Sequence, residues 1–151
     1  MPGVADLAYI AGFFDGEGSV SVFKRKPVHG CINPIFILMV EITNIDKAVL
    51  EYIKSTIGLG GCLYGHIEPN KRTVYRLMYR GRQAIQFLEL VKPFLKVKVS
   101  QTNLAIWMEN IRYEGRHPKE GKAPKEITND VLISCDISKS VMHYLNTGKV
   151  L

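Results

Sequence analysis

The residues best suited to chemistry sit near the N-terminus, where Glu17 stands between Gly16 and Gly18. Neither neighbour carries a side chain, so the carboxylate has room around it. Upstream, Leu7, Ile10 and Phe14 recur at helical spacing, and Ala8, Gly12 and Gly16 make a second stripe of small residues. Two backbones can approach closely along such a stripe. The spacing predicts a helix over Leu7 to Asp15, with Asp6 as N-cap and the Gly16/Gly18 pair as its stop. Glu17 is then delivered just past the C-terminal end, where the helix dipole favours a cation over a second anion. That makes it a natural ligand for a hard divalent ion such as magnesium.

The other potential ligands point the same way. Cys31, Cys62 and Cys135 have no C-x-x-C spacing, and His29, His66, His117 and His143 lie far apart. A disulfide framework and a zinc site of cysteine or histidine are thereby excluded, and the thiols read as reduced. Any metal must sit on oxygen. The 20 Lys+Arg outnumber the 14 Asp+Glu, for a net charge of +6, which favours a polyanionic partner. At 151 residues, 46% hydrophobic and 23% charged, the chain fits one soluble domain with its own core. Asp6, Gly12 and Asp15 interrupt the sole apolar N-terminal stretch, so no secretion signal is read there. The expectation is an intracellular protein, of a prokaryotic cytoplasm or an organelle, with no membrane partner.

The elements that must position Glu17 follow from pattern. Ser19 to Arg25 and Ile35 to Thr43 are rich in Val, Ile and Phe and flank a Pro- and Gly-containing turn, which predicts an antiparallel pair. Asp46 to Ile57 carries Val49, Leu50, Ile53 and Ile57 on one helical face and ends at Gly58. A second strand pair, Cys62 to Glu68 and Thr73 to Arg80, turns at Pro69-Asn70-Lys71-Arg72. Helices follow over Arg82 to Val91, stopped by Pro93, and over Ser100 to Tyr113. The class is α+β, with an αββαββα core over about residues 7–113 and a four-stranded antiparallel sheet. Residues 114–151 form an extension in which Thr128 to Asn146 has helical character, and the whole of 1–151 is one domain.

The string Ile10-Ala11-Gly12-Phe13-Phe14-Asp15-Gly16-Glu17-Gly18, followed by Ser19-Val20-Ser21, resembles the signature of the LAGLIDADG homing endonucleases. Ile57-Gly58-Leu59-Gly60-Gly61 is similar to that family's glycine turn, and Pro93-Phe94-Leu95-Lys96-Val97-Lys98 to its late Pro-x-Leu-x-x-Lys element. The resemblance implies a site-specific, metal-dependent DNA endonuclease. It implies that Glu17 and the Gly16 carbonyl bind Mg2+ (or Mn2+, or Ca2+ in a non-cleaving complex), and that Lys98 is the catalytic lysine. Asn44 stands where the family often has a water-orienting Gln, which is a departure. One chain carries one signature, so a homodimer is implied, with Ala8, Ala11, Gly12 and Asp15 at its helix interface.

The implied partner is double-stranded DNA with a long, pseudo-palindromic target, read by a saddle-shaped sheet in the major groove. Strand alternation puts Ser19, Ser21, Phe23 and Arg25 opposite Val20 and Val22, and Arg76 and Arg80 opposite Tyr75, Leu77 and Tyr79. The first-named set is expected to face DNA, joined by Lys24, His66 and Glu41, the last as an acceptor for a cytosine amino group. Lys26, His29, Asn33, Lys71 and Arg72 in the turns reach outer bases and phosphates. An RNA maturase or a non-cleaving DNA-binding regulator with the same fold are the alternatives, as is a module that binds no nucleic acid and uses the helix only to dimerise.

Overall fold

The computed structural model describes residues 2–27, 33–69, 71–116 and 128–149. Helix α1 spans Val4–Glu17 and leads directly into strand β1, Gly18–Arg25, which pairs with β2, Ile35–Asn44. Helix α2 covers Lys47–Ile57, and strands β3, Cys62–Ile67, and β4, Thr73–Arg80, form the second antiparallel pair. Helix α3, Arg82–Val91, passes through a 3₁₀ turn at Lys92–Phe94 to α4, Val99–Arg116, and α5 is Asn129–Thr147. The predicted αββαββα order is present, followed by two further helices. No helix among the described residues is long and apolar enough to cross a membrane.

The sheet order is β1-β2-β4-β3, antiparallel throughout. Alternation separates its two faces. Val20, Val22, Phe36, Leu38, Val40, Ile42, Leu77 and Tyr79 are buried against Ile10, Ala11 and Phe14 of α1, Leu50 and Ile53 of α2, and Phe87 and Leu88 of α3. The residues between them on each strand point to the opposite face. At the centre of the core Phe14 meets Phe87 edge-on, with ring centroids 5.2 Å apart, and Phe87 stacks on Tyr79 at 5.0 Å. Buried aromatics of this size resist truncation by about 3–5 kcal/mol each. The Tyr79 hydroxyl is buried without a hydrogen-bond partner, and burial pushes its pKa up to about 12.

Two glycines are dictated by geometry. A Cβ on Gly18 would lie 2.0 Å from Cδ2 of Phe14, so only glycine lets the chain turn from α1 into β1 over that ring. Gly58 ends α2 at φ 69°, a left-handed conformation that glycine adopts without strain. The first helix begins earlier than Asp6 predicts. Gly3 is its N-cap, and Asp6 sits inside the first turn, accepting hydrogen bonds from the Gly3 N–H and the Tyr52 hydroxyl. It also runs through Gly16, so that Glu17 is its last residue.

The C-terminal extension forms one long helix, which lies along β1, the sheet's edge strand, and against α4. Asn146 Nδ2 donates to the Val20 carbonyl at 2.7 Å, and Lys24 Nζ reaches Asp136 at 2.6 Å. Covering an edge in this way removes a template for unwanted strand pairing. Helix α1 is in turn tied to the start of α4. The Asp15 carboxylate accepts the N–H groups of Lys96 (2.7 Å) and Val97 (3.1 Å) at Oδ2 and of Lys98 (2.9 Å) at Oδ1. Amides preceding a helix have no intrahelical acceptor, and a carboxylate satisfies them with charge assistance.

Partial burial opposes ionisation of Asp15, but the three amides and the Lys98 charge outweigh it and hold its pKa below the ordinary 3.8. A lowered carboxyl pKa contributes stability above the unfolded-state pKa and loses it as pH falls through the folded one. Asp15→Asn, which keeps an acceptor oxygen and removes the charge, is therefore expected to cost about 0.3–1 kcal/mol near neutral pH, the usual worth of an anion at a helix N-terminus. Denaturant titration should show the gap from wild type closing as pH drops below the carboxylate range. A gap independent of pH would contradict the cap.

Candidate active site and nucleic-acid interface

Glu17 is exposed at the C-terminal end of α1, and Lys98 approaches that end from α4's leading edge. Lys98 Nζ donates to the Asp15 carbonyl, one of the last-turn carbonyls that a helix leaves without an internal donor. The ammonium also lies 5.9 Å from the Phe14 ring centroid. Burial draws its pKa down, partly offset by the charges of Asp15 and Glu17, and the net shift is downward. Lys98 is thus brought from a distant part of the chain to the helix end that presents Glu17. Asp15 makes the approach possible, since its side chain grips the amides of Lys96, Val97 and Lys98 while its carbonyl takes the Lys98 side chain.

The donors available here are hard oxygens, the Glu17 carboxylate and the last-turn carbonyl of Gly16, and their chemistry fits a magnesium-like ion. Among the described residues no group of three or more His, Cys, Asp or Glu side chains is arranged to hold a metal. A cation held there would take only part of its coordination shell from one chain.

Several expected site residues sit elsewhere. Asn44 lies on the covered side of the sheet at the end of β2, where its Oδ1 accepts the Asp46 N–H at 2.8 Å. That is a local turn which engages the amide oxygen once and holds the side chain in place. Ala11 is fully buried in the chain's own core, and Asp15 is committed to α4. Ala11 is thus unavailable to an interface, whereas Asp15 is half-buried, Ala8, Gly12 and Gly16 are exposed, and a Cβ on Gly12 or Gly16 would meet nothing within 4 Å. Lys24 shares the parity of Val20 and Val22. It folds over the Phe36 ring and is neutralised by Asp136, away from the open sheet face.

The alternation-based face is otherwise as expected. Ser19, Ser21, Phe23 and Arg25 of β1 share it with Ile35, Ile37, Met39, Glu41 and Thr43 of β2, with Val74, Arg76, Met78 and Arg80 of β4, and with Cys62, Tyr64 and His66 of β3. Arg25, Arg80 and His66 are exposed, as are Lys26, Lys71 and Arg72 at the hairpin ends, and Asn33 is half-buried. His29 lies outside the described residues. Glu41 is not a free acceptor: its Oε1 takes Arg76 Nη1 at 3.3 Å and the Thr43 hydroxyl at 3.4 Å. Thr43 and Tyr64 belong to this face too, and period-two alternation from Glu41 and His66 was signal enough to find them.

The family model for a LAGLIDADG-like domain matches residues 5–92, which is more than half the chain. Among solved structures, the homing endonuclease I-CvuI in complex with its target in the presence of 2 mM Ca superposes with a TM-score of 0.73 at 16% identity, covering 96% of this chain and 84% of I-CvuI. The archaeal intron-encoded homing endonuclease I-Vdi141I, complexed with DNA, gives 0.62 at 23% identity, covering 89% and 96%. I-SmaMI, a LAGLIDADG homing endonuclease bound to cleaved DNA, gives 0.71 at 17% identity, with 92% of this chain covering 44% of that one. No curated protein sequence matches the chain. Identities this low speak to the fold. The matched segment holds the signature helix, all four strands and α3, and on that match the chain belongs to the family of LAGLIDADG-like domains.

Proposed function

We propose that the chain, as a single domain of 151 residues, is a site-specific homing endonuclease. It acts as a homodimer and makes a metal-dependent double-strand break in a long, pseudo-palindromic DNA target. The observation that carries this reading is the seating of Lys98 on the Asp15 carbonyl at the same end of α1 that presents Glu17, beside an open sheet face that bears Arg25, Arg76 and Arg80. The DNA complexes of I-CvuI, I-Vdi141I and I-SmaMI support duplex DNA as the partner. Calcium in one I-CvuI complex, and magnesium in another whose DNA is uncleaved, support a divalent cation.

In this reading the Glu17 carboxylate and the Gly16 carbonyl hold the cation, magnesium by preference or manganese, with calcium as a non-cleaving substitute. The cation supplies positive charge beside the phosphate under attack. Lys98 presents its ammonium to a non-bridging phosphate oxygen or to the incoming water. Its anchorage to the Asp15 carbonyl keeps that donor in place before DNA arrives, the kind of preorganisation that makes such donors effective. The open sheet face lies in the major groove, where its arginines meet base edges and the hairpin-end cations Lys26, Lys71 and Arg72 meet phosphates.

Two copies are needed because one chain carries one Glu17 while a double-strand break needs two cuts. The surface that suits a second copy is the exposed side of α1, where Ala8, Gly12 and Gly16 allow close backbone approach and Val4 and Tyr9 add exposed apolar area. I-SmaMI is roughly twice this chain's length by the coverage found, which supports a paired arrangement. Packed there, the two Glu17 carboxylates would repel each other unless cations lay between them.

Incubation of the purified protein with a library of duplex fragments should yield discrete double-strand products with magnesium and none with chelator. Products that persist in chelator, or no discrete products in either condition, would count against the reading. Gly12→Arg tests the dimer. Replacing an exposed mid-helix glycine favours the helix by up to about 1 kcal/mol, so the variant should stay folded. It should sediment as a monomer and lose double-strand cleavage. A variant that remains dimeric would show that α1 is not the interface.

A further inference from the structure

The arginines on the open sheet face are held in different ways. Arg80 directs its Nε to the Met78 sulfur at 3.1 Å, and Arg25 stands exposed at the outer end of β1. Arg76 alone among these three is fixed by a carboxylate. Its Nη1 bonds Glu41 Oε1, its Nε is buried, and Tyr64 flanks it across the β3–β4 ladder. The Glu41 side chain is 16% exposed and that of Arg76 35%, so the carboxylate lies beneath and the guanidinium above it faces outward. The Thr43 hydroxyl holds Glu41 from its own strand.

The place of this cluster in the sheet matters. It spans β2 and β4, the two central strands, and not an edge where phosphates would run. It is also the part of the open face closest in register to the catalytic end. Gly18, the residue after Glu17, pairs with Ile42, whose neighbours are Glu41 and Thr43, and Thr43 pairs with Arg76. Arg80 pairs with Met39, which is level with Ser21, further out along the strands.

We infer that Glu41 and Arg76 form a specificity-determining pair, in which Arg76 reads a guanine at the innermost base pair contacted by the sheet and Glu41 positions it without touching DNA. This rests on the reading of the chain as a duplex-DNA endonuclease. A guanidinium held by one edge keeps donors for the O6 and N7 acceptors of guanine, the pairing that planar, two-donor geometry suits best. The carboxylate beneath it disfavours a backbone phosphate at the same spot, which turns a general cation into a selective one. Ordering the side chain before binding also lowers the entropy lost when the contact forms.

Selection of duplexes from a randomised library by the purified protein, followed by sequencing, tests the pair. Wild type should enrich a guanine at the innermost specified position of each half-site. Glu41→Ala should reduce that preference roughly tenfold or more, at that position alone, while affinity for random-sequence duplex rises because a negative charge has gone. Arg76→Lys keeps the charge and should lose the same preference. If wild type enriches a sequence but both variants keep its base preferences, or lose them evenly at every position, the pair does not determine specificity. If wild type enriches no sequence at all, the DNA-binding reading falls and this inference with it.

Discussion

The arrangement depends most on one reciprocal clamp between segments far apart in the chain. Asp15 offers its carboxylate to the amides of Lys96, Val97 and Lys98 and its carbonyl to the Lys98 ammonium, so the end of α1 and the start of α4 are fixed from both directions. Two helix termini with opposite needs are satisfied together, one lacking donors for its carbonyls and the other lacking acceptors for its amides. The next two residues along α1 are Gly16 and Glu17. The clamp therefore decides where the carboxylate and the lysine stand relative to each other, and the Phe14–Phe87–Tyr79 stack beneath it supplies a rigid base.

The sheet turns that local geometry into a surface. Four antiparallel strands alternate so that one face is filled by helices and the other keeps arginines, serines and exposed apolar groups. Gly18 joins the two parts of the molecule, because no larger residue fits over Phe14 at the point where α1 becomes β1. The C-terminal helix completes the design from outside by sealing the β1 edge through Asn146 and Asp136.

Much of this was legible in the sequence, and the failures have physical causes. Element order, the covered and open faces and the exposed Ala8–Gly12–Gly16 stripe all follow from periodicity, which is local information. A lysine beside Arg25 invites placement at DNA, although the parity of Lys24 with Val20 and Val22 puts it on the other side. Ala11 resembles Ala8 and Gly12 in size, yet it adjoins Ile10 on the buried flank of the helix. Asn44 lies two residues before Asp46, a spacing that suits the local turn it forms. Other features had no sequence signal at all. The partners of Asp15, the pairing of Glu41 with Arg76 and the docking of α5 all join residues that only tertiary packing brings together.

In the proposed endonuclease Glu17 is the side chain on which strand cleavage most depends. The most direct test is strand cleavage by Glu17→Gln, measured beside duplex binding by the same preparation, since the amide keeps the shape of the side chain and removes its charge. The account predicts a folded protein that still binds DNA and cleaves it about a hundred- to a thousandfold more slowly. Cleavage at the wild-type rate would contradict it.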